Sequence, residues 1–233
     1  FLDLKAQHRQ VKDEILPLWE AILDGAGFIG GEHVAGFEAE FAEACGTRHC
    51  VAMSNGTAAL QMILEALGLG PDDEVIVPVN SFIATAEAVT HAGGRVRFVD
   101  VLPDTYNMDP QAVRSAINGR TRGIVPVHLY GQPADLDVLG AIAAEHGLWL
   151  VEDAAQAHLA EYKGRRVGAF GRAAEFSFYP GKNLGACGDA GAITTDDEDL
   201  AARLRMLRDH GSAKKYVHEF EGHNNRCDAL QAA

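Results

Sequence analysis

The sequence has no apolar run long enough to cross a bilayer, so nothing in it reads as a membrane-spanning helix. Its first residues, Phe1-Leu2-Asp3-Leu4-Lys5, lack the basic stretch and apolar core of a signal peptide. No segment repeats at a fixed period and no tract is of low complexity. Basic residues are scarce: 20 Lys and Arg stand against 33 Asp and Glu, for a formal net charge of −13. General nucleic-acid binding needs a basic footprint, so that class is excluded. A phosphorylated small molecule is not, because backbone N–H groups can hold a phosphate locally. The four cysteines (Cys45, Cys50, Cys187 and Cys227) form no C-x-x-C pair and fit no zinc spacing. They read as reduced thiols of a cytoplasmic protein. Neither a Walker A loop nor G-x-G-x-x-G is present, which argues against a nucleotide-binding oxidoreductase. The chain starts without Met and stops at Gln231-Ala232-Ala233 inside a helical pattern, so it is expected to be part of a longer protein.

What is there is a regular alternation. Strand-like runs at 51–53, 74–78, 95–99, 123–127 and 148–151 are separated by helical patterns at 57–67, 84–91, 109–117 and 135–146. Two further helical stretches, 7–23 and 34–44, precede the first strand. After Asp153 come two strands, 173–178 and 190–195, joined by a Gly-rich loop, and a helix at 198–208. This order predicts one α/β domain with a mostly parallel central sheet and helices on both faces. Ligands of such sheets bind outside the carboxyl ends of the strands. Four places qualify: Ser54 to Thr57, Asn80 to Phe82, Asp153 to Gln156, and the loop around Lys182.

Each of three motifs has a plain reading beside a chemical one. In Ser54-Asn55-Gly56-Thr57, Gly56 lets a ligand approach the backbone at a helix N-terminus, which suits a phosphate. Ser54 or Thr57 could equally cap that helix. Asp153, ending a buried strand, could cap the next helix or pair with a protonated pyridine nitrogen. Lys182, in Tyr179-Pro180-Gly181-Lys182-Asn183, could be a surface charge or, desolvated, an amine that attacks an aldehyde. Together they supply a phosphate cradle, a carboxylate and a nucleophilic amine at the strand ends, the set that pyridoxal phosphate (PLP) needs.

With those motifs the chain resembles the DegT/StrS sugar aminotransferases, within the fold-type-I PLP superfamily. The likeness includes Phe1-Leu2-Asp3-Leu4, Phe28-Ile29-Gly30-Gly31, Ser54-Asn55-Gly56-Thr57-Ala58-Ala59-Leu60, Glu152-Asp153-Ala154-Ala155-Gln156-Ala157-His158, Ser177-Phe178-Tyr179-Pro180-Gly181-Lys182-Asn183-Leu184-Gly185 and Gly222-His223-Asn224-Asn225-Arg226. The resemblance implies a three-layer PLP-binding large domain over residues 1–233, with the family's C-terminal small domain absent. It implies Lys182 as the Schiff-base lysine, Asp153 on the ring nitrogen, Gln156 near the ring hydroxyl and Phe82 stacked on the ring. Gly56, Thr57 and Ser177 would hold the phosphate, and Asn224 would reach the phosphate of the neighbouring subunit in a homodimer. The family usually has aromatics where His223 and Asn225 stand and a larger apolar residue at Cys227. The implied reaction carries an amino group from glutamate to a nucleotide-linked keto-sugar, with Lys214-Lys215-Tyr216-Val217-His218 resembling the subset that aminates C3. Two alternatives stay open: a non-catalytic PLP- or nucleotide-sugar-binding regulator on the same fold, and the family's PLP-dependent sugar dehydratases, whose lysine is replaced by His. His210 is a further candidate near the site. His218-Glu219-Phe220-Glu221-Gly222-His223 mimics the zinc motif H-E-x-x-H but is one residue too long, which sets the two His about 140° apart on a helix.

Overall fold

The odd-numbered residues of β1 (His49–Met53) pack toward one layer of helices and the even-numbered ones toward another. That alternation is the period of two of a strand buried on both faces, and it organises the fold. The computed structural model describes residues 2–233; Phe1 of the Phe1–Leu4 motif lies outside them.

Two helices lead in, α1 (Leu4–Gly25) and α2 (Gly31–Cys45). After β1 the chain alternates through α3 (Gly56–Ala66), β2 (Glu74–Pro78), α4 (Ile83–His91), β3 (Arg95–Val99), α5 (Pro110–Ala116), β4 (Thr121–Ile124), α6 (Leu136–His146) and β5 (Trp149–Asp153). A small hairpin, β6 (Glu161–Tyr162) and β7 (Arg165–Arg166), precedes β8 (Ala173–Ser177), β9 (Gly191–Thr195) and α7 (Glu198–Leu207). A second hairpin, β10 (Ser212–Lys214) and β11 (Val217–His218), and a terminal turn α8 (Ala229–Ala232) complete it. The central sheet has seven strands in the order β1-β9-β8-β5-β4-β2-β3. Only β9 runs antiparallel to its neighbours. This is the expected mostly parallel α/β/α architecture. One layer buries Phe41, Leu139 and Ile142 of α2 and α6, and the other buries Leu60, Val89 and Leu204 of α3, α4 and α7.

The two small hairpins lack the apolar alternation that reveals a strand, and the sequence reading missed them. The expected strand at 123–127 begins two residues earlier and regains the sheet only at Val127, which bridges to Asp153.

The sheet positions the site in a simple way. Six strands are parallel, so the carboxyl ends of β1, β2, β5 and β8 share one edge. The reversal into β9 occurs at that same edge, which places the loop between β8 and β9 there as well.

Candidate active site

At that edge lies a cavity of about 610 Å³, lined by Asn55, Gly56, Thr57, Ser81, Phe82, Thr85, Leu129, Asp153, Gln156, Glu175, Ser177, Tyr179, Lys182 and Asp189, among others. Seven of the eight residues assigned from the sequence (Gly56, Thr57, Phe82, Asp153, Gln156, Ser177 and Lys182) therefore meet in one pocket of a size typical for small-molecule sites. The eighth, Asn224, does not line it. It is exposed and pairs with Asp209 through an isolated bridge. His210 also lies outside the cavity, in a positive-φ turn.

At the first motif the helix cap is Asn55, not Ser54 or Thr57. The Asn55 side chain accepts from the Ala58 N–H at 2.8 Å. The amides of Gly56 and Thr57 then remain in the first turn with no carbonyl behind them, and both residues line the cavity. Gly56 is there because nothing larger fits. A Cβ at this position would lie 2.2 Å from Glu175 Oε1 and 2.8 Å from Ser177 Cβ. Gly56→Ala is therefore expected to push α3 off β8 and abolish retention of a phosphorylated ligand. Equilibrium dialysis of radiolabelled cofactor, with a thermal melt to separate unfolding from lost binding, checks this.

Asp153 is not a helix cap either, since no helix follows β5 directly. It is buried, with Oδ2 accepting from Thr85 Oγ1 at 2.7 Å and Oδ1 from the Ala155 N–H at 3.3 Å. Thr85 gives its one proton to Asp153, so Ser81 must donate to Thr85 across 2.7 Å. Lone pairs of the carboxyl oxygens remain for a donor in the cavity. Gln156 Oε1 is occupied by the Tyr130 N–H at 2.8 Å, which leaves its amide NH2 to donate. Phe82 is 72% exposed at the mouth.

Lys182 is half-buried, not a free surface charge. Its loop is pinned at both ends, by Ala186 N–H to Phe178 O at 2.8 Å and Phe178 N–H to Ala190 O at 2.9 Å. Gly185 permits the closure, because a Cβ there would lie 2.5 Å from Pro180 O. His158 anchors the middle. Asn183 Nδ2 donates to the His158 carbonyl, so Asn183 Oδ1 must accept from His158 Nδ1 at 2.7 Å. The ring is held neutral by burial, which lowers its pKa among Phe41, Phe176 and Phe178.

Sequence reasoning missed Thr85 and Glu175. Thr85 lies one helical turn after Phe82, a spacing that puts the two at the same end of α4. Glu175 lies two residues before Ser177, and strand alternation puts both on one face. The zinc-like stretch is engaged piecemeal: His218 Nδ1 contacts His210 O at 2.9 Å and His223 Nε2 pairs with Glu65 at 2.8 Å.

The arrangement joins helix-start amides, a buried carboxylate and an amine around one cavity, the donor set suited to a phosphorylated pyridine aldehyde. Residues 9–233 match the DegT/DnrJ/EryC1/StrS aminotransferase family. The chain belongs to that family. Its members are PLP-dependent, and the Gly56 cradle and Asp153 fit that cofactor. A relative from Streptomyces venezuelae, named dTDP-3-amino-3,4,6-trideoxy-alpha-D-glucose transaminase, is 51% identical over all of this chain and 62% of its own length. A Pseudomonas aeruginosa relative, UDP-2-acetamido-2-deoxy-3-oxo-D-glucuronate aminotransferase, is 45% identical over all of this chain and 65% of its own. The crystal structure of Streptomyces venezuelae DesV in complex with a ketimine intermediate superposes with a TM-score of 0.97 at 51% identity, covering 100% of this chain and 62% of that one. The chain thus spans under two thirds of the length of these family members.

Proposed function

We propose that this chain is the PLP-binding large domain of a cytoplasmic, homodimeric aminotransferase. It moves an amino group from glutamate to C3 of a nucleotide-diphosphate-linked keto-sugar. The observation that carries the reading is the convergence of Lys182, Asp153 and the Gly56 turn on one cavity. C3 is favoured by the names of the two relatives, one a 3-amino and the other a 3-oxo sugar enzyme. A lysine at 182, where the dehydratases carry His, favours amination over dehydration.

PLP supplies an electron sink and an aldehyde carbon that exchanges one amine for another. The protein's part is binding, orientation and proton transfer. The Gly56 and Thr57 amides with Ser177 would hold the phosphate, Asp153 would accept from the ring nitrogen, Gln156 would donate toward the ring hydroxyl, and Phe82 would stack on the ring. Lys182 would anchor the cofactor through its amine, and the free amine would hold and move a proton at Nζ. Asn224, exposed and outside this cavity, serves the partner subunit's phosphate site.

Adding glutamate to the full-length, PLP-loaded protein tests the reading. The visible cofactor band is expected to decline as the amine form accumulates, and a keto-sugar nucleotide is expected to restore it. A regulator that only binds the cofactor leaves the band unchanged.

A further inference from the structure

Glu175 is the one buried acidic group of the pocket that the proposed chemistry leaves without a task. It is 2% exposed, on β8, directly opposite Asp153 of β5 in the parallel register. Its Oε1 is buried without a hydrogen-bond partner. The same oxygen lies against the Gly56 turn, close enough that a Cβ there would come within 2.2 Å. Glu175 therefore sits between the carboxylate proposed for the ring nitrogen and the amides proposed for the phosphate. Two carboxylates and a phosphate dianion held this close oppose one another's charge, and the most deeply buried of them is the costliest to ionise. Asp153 has donors in Thr85 and the Ala155 N–H, whereas Glu175 Oε1 has none.

We infer that Glu175 is a neutral acid that shares its proton with Asp153, a positioning residue that orients the ring-binding carboxylate and spares the phosphate site a negative charge. This rests on the cofactor reading above. Burial and then the charge of Asp153 push the Glu175 carboxyl well above the usual range, and the Lys182 charge opposes them only in part. The other elements packed on it bring no ionisable group near: β9 offers Ile193, and α3 offers Gly56 of its first turn. Asp189 also lines the cavity but is exposed to solvent. The pattern is that of paired carboxyls whose surroundings split their protonation states.

The test is a pH series of PLP affinity and of the visible band in the full-length protein. Glu175→Gln mimics the neutral acid and Glu175→Met only fills its volume. Near pH 7, Glu175→Gln should bind PLP as the wild type does. At pH values above the acid's titration the wild type should weaken relative to it, by up to about tenfold per pH unit. Glu175→Met, losing the proton to Asp153, should displace the titration of the band by roughly one pH unit. The wild type should also show the infrared stretch of a protonated carboxyl that Glu175→Gln lacks, a readout that stands if the Met variant fails to fold. Tighter PLP binding by Glu175→Gln near pH 7, an unshifted band in Glu175→Met, or no infrared difference would overturn the inference. A wild type that forms no visible band at all would instead sink the parent reading.

Discussion

Lys182→Ala is expected to abolish transamination while leaving the fold and most cofactor binding in place. The lysine is half-buried on a loop closed by its own backbone bonds, and the Gly185 turn and the His158–Asn183 anchor do not depend on its side chain. Asp153, Gln156 and the helix-start amides remain to hold PLP. On the proposed reading, what is lost is the covalent tether and the general base. Proton transfer by a positioned side chain alone is worth roughly 10²–10⁴-fold, and loss of the tether adds to it. Lys182→Arg should fail equally, since a guanidinium stays protonated and cannot attack an aldehyde. Single-turnover assays with glutamate check both variants, with circular dichroism confirming the fold. A variant that retains turnover within about tenfold of the wild type would remove Lys182 from the chemistry.

The second large effect concerns stability. Glu152 precedes Asp153 on β5 and so faces the opposite layer, wholly buried. It accepts from the N–H groups of Gly168, Phe170 and Gly171 at 2.9, 2.8 and 3.0 Å, and it pairs with His128 Nε2 at 3.1 Å. The Ala134 N–H donates to His128 Nδ1, so the ring proton is on Nε2 and points at the carboxylate. Glu152→Ala would strand those donors in the core and is expected to cost about 3–5 kcal/mol. That is a large share of the roughly 5–15 kcal/mol that holds a domain together. Urea denaturation measures it, and a loss below about 1 kcal/mol would refute the assignment. The pH dependence has a definite sign. Burial raises the Glu152 pKa, but the His128 bond and the backbone donors outweigh it, so the folded value falls below the ordinary one. Such a group stabilises the fold fully above the unfolded carboxylate pKa and progressively less as pH falls through the folded value. The wild type should thus lose stability on acidification more steeply than Glu152→Gln.

The contrast between Glu152 and Asp153 shows how far the sequence could be read. The alternation of strands and helices was legible because each buried strand is a short apolar run between turn residues, as at Glu74–Pro78 and Trp149–Asp153. The site was legible because parallel strands deliver their ends to one edge, so motifs distant in sequence had to meet. The two-residue hairpins at 161–166 and the bent hairpin at 212–218 were not, because pairs that short carry no periodicity. The identity of the helix cap was hidden as well, since Ser54, Asn55 and Thr57 are all competent and only backbone geometry selects Asn55. Glu175 escaped notice for another reason. An acidic residue in an apolar strand reads as an edge or surface position until its neighbours, Asp153 and Gly56, are known in space.

The claim that Lys182 carries the cofactor has one direct test. The full-length protein is incubated with PLP, reduced with borohydride, digested, and its peptides are read by mass spectrometry. A single phosphopyridoxyl modification on Lys182, absent from Lys182→Ala, is the result expected. Modification at another lysine, or none despite a visible cofactor band, would contradict it.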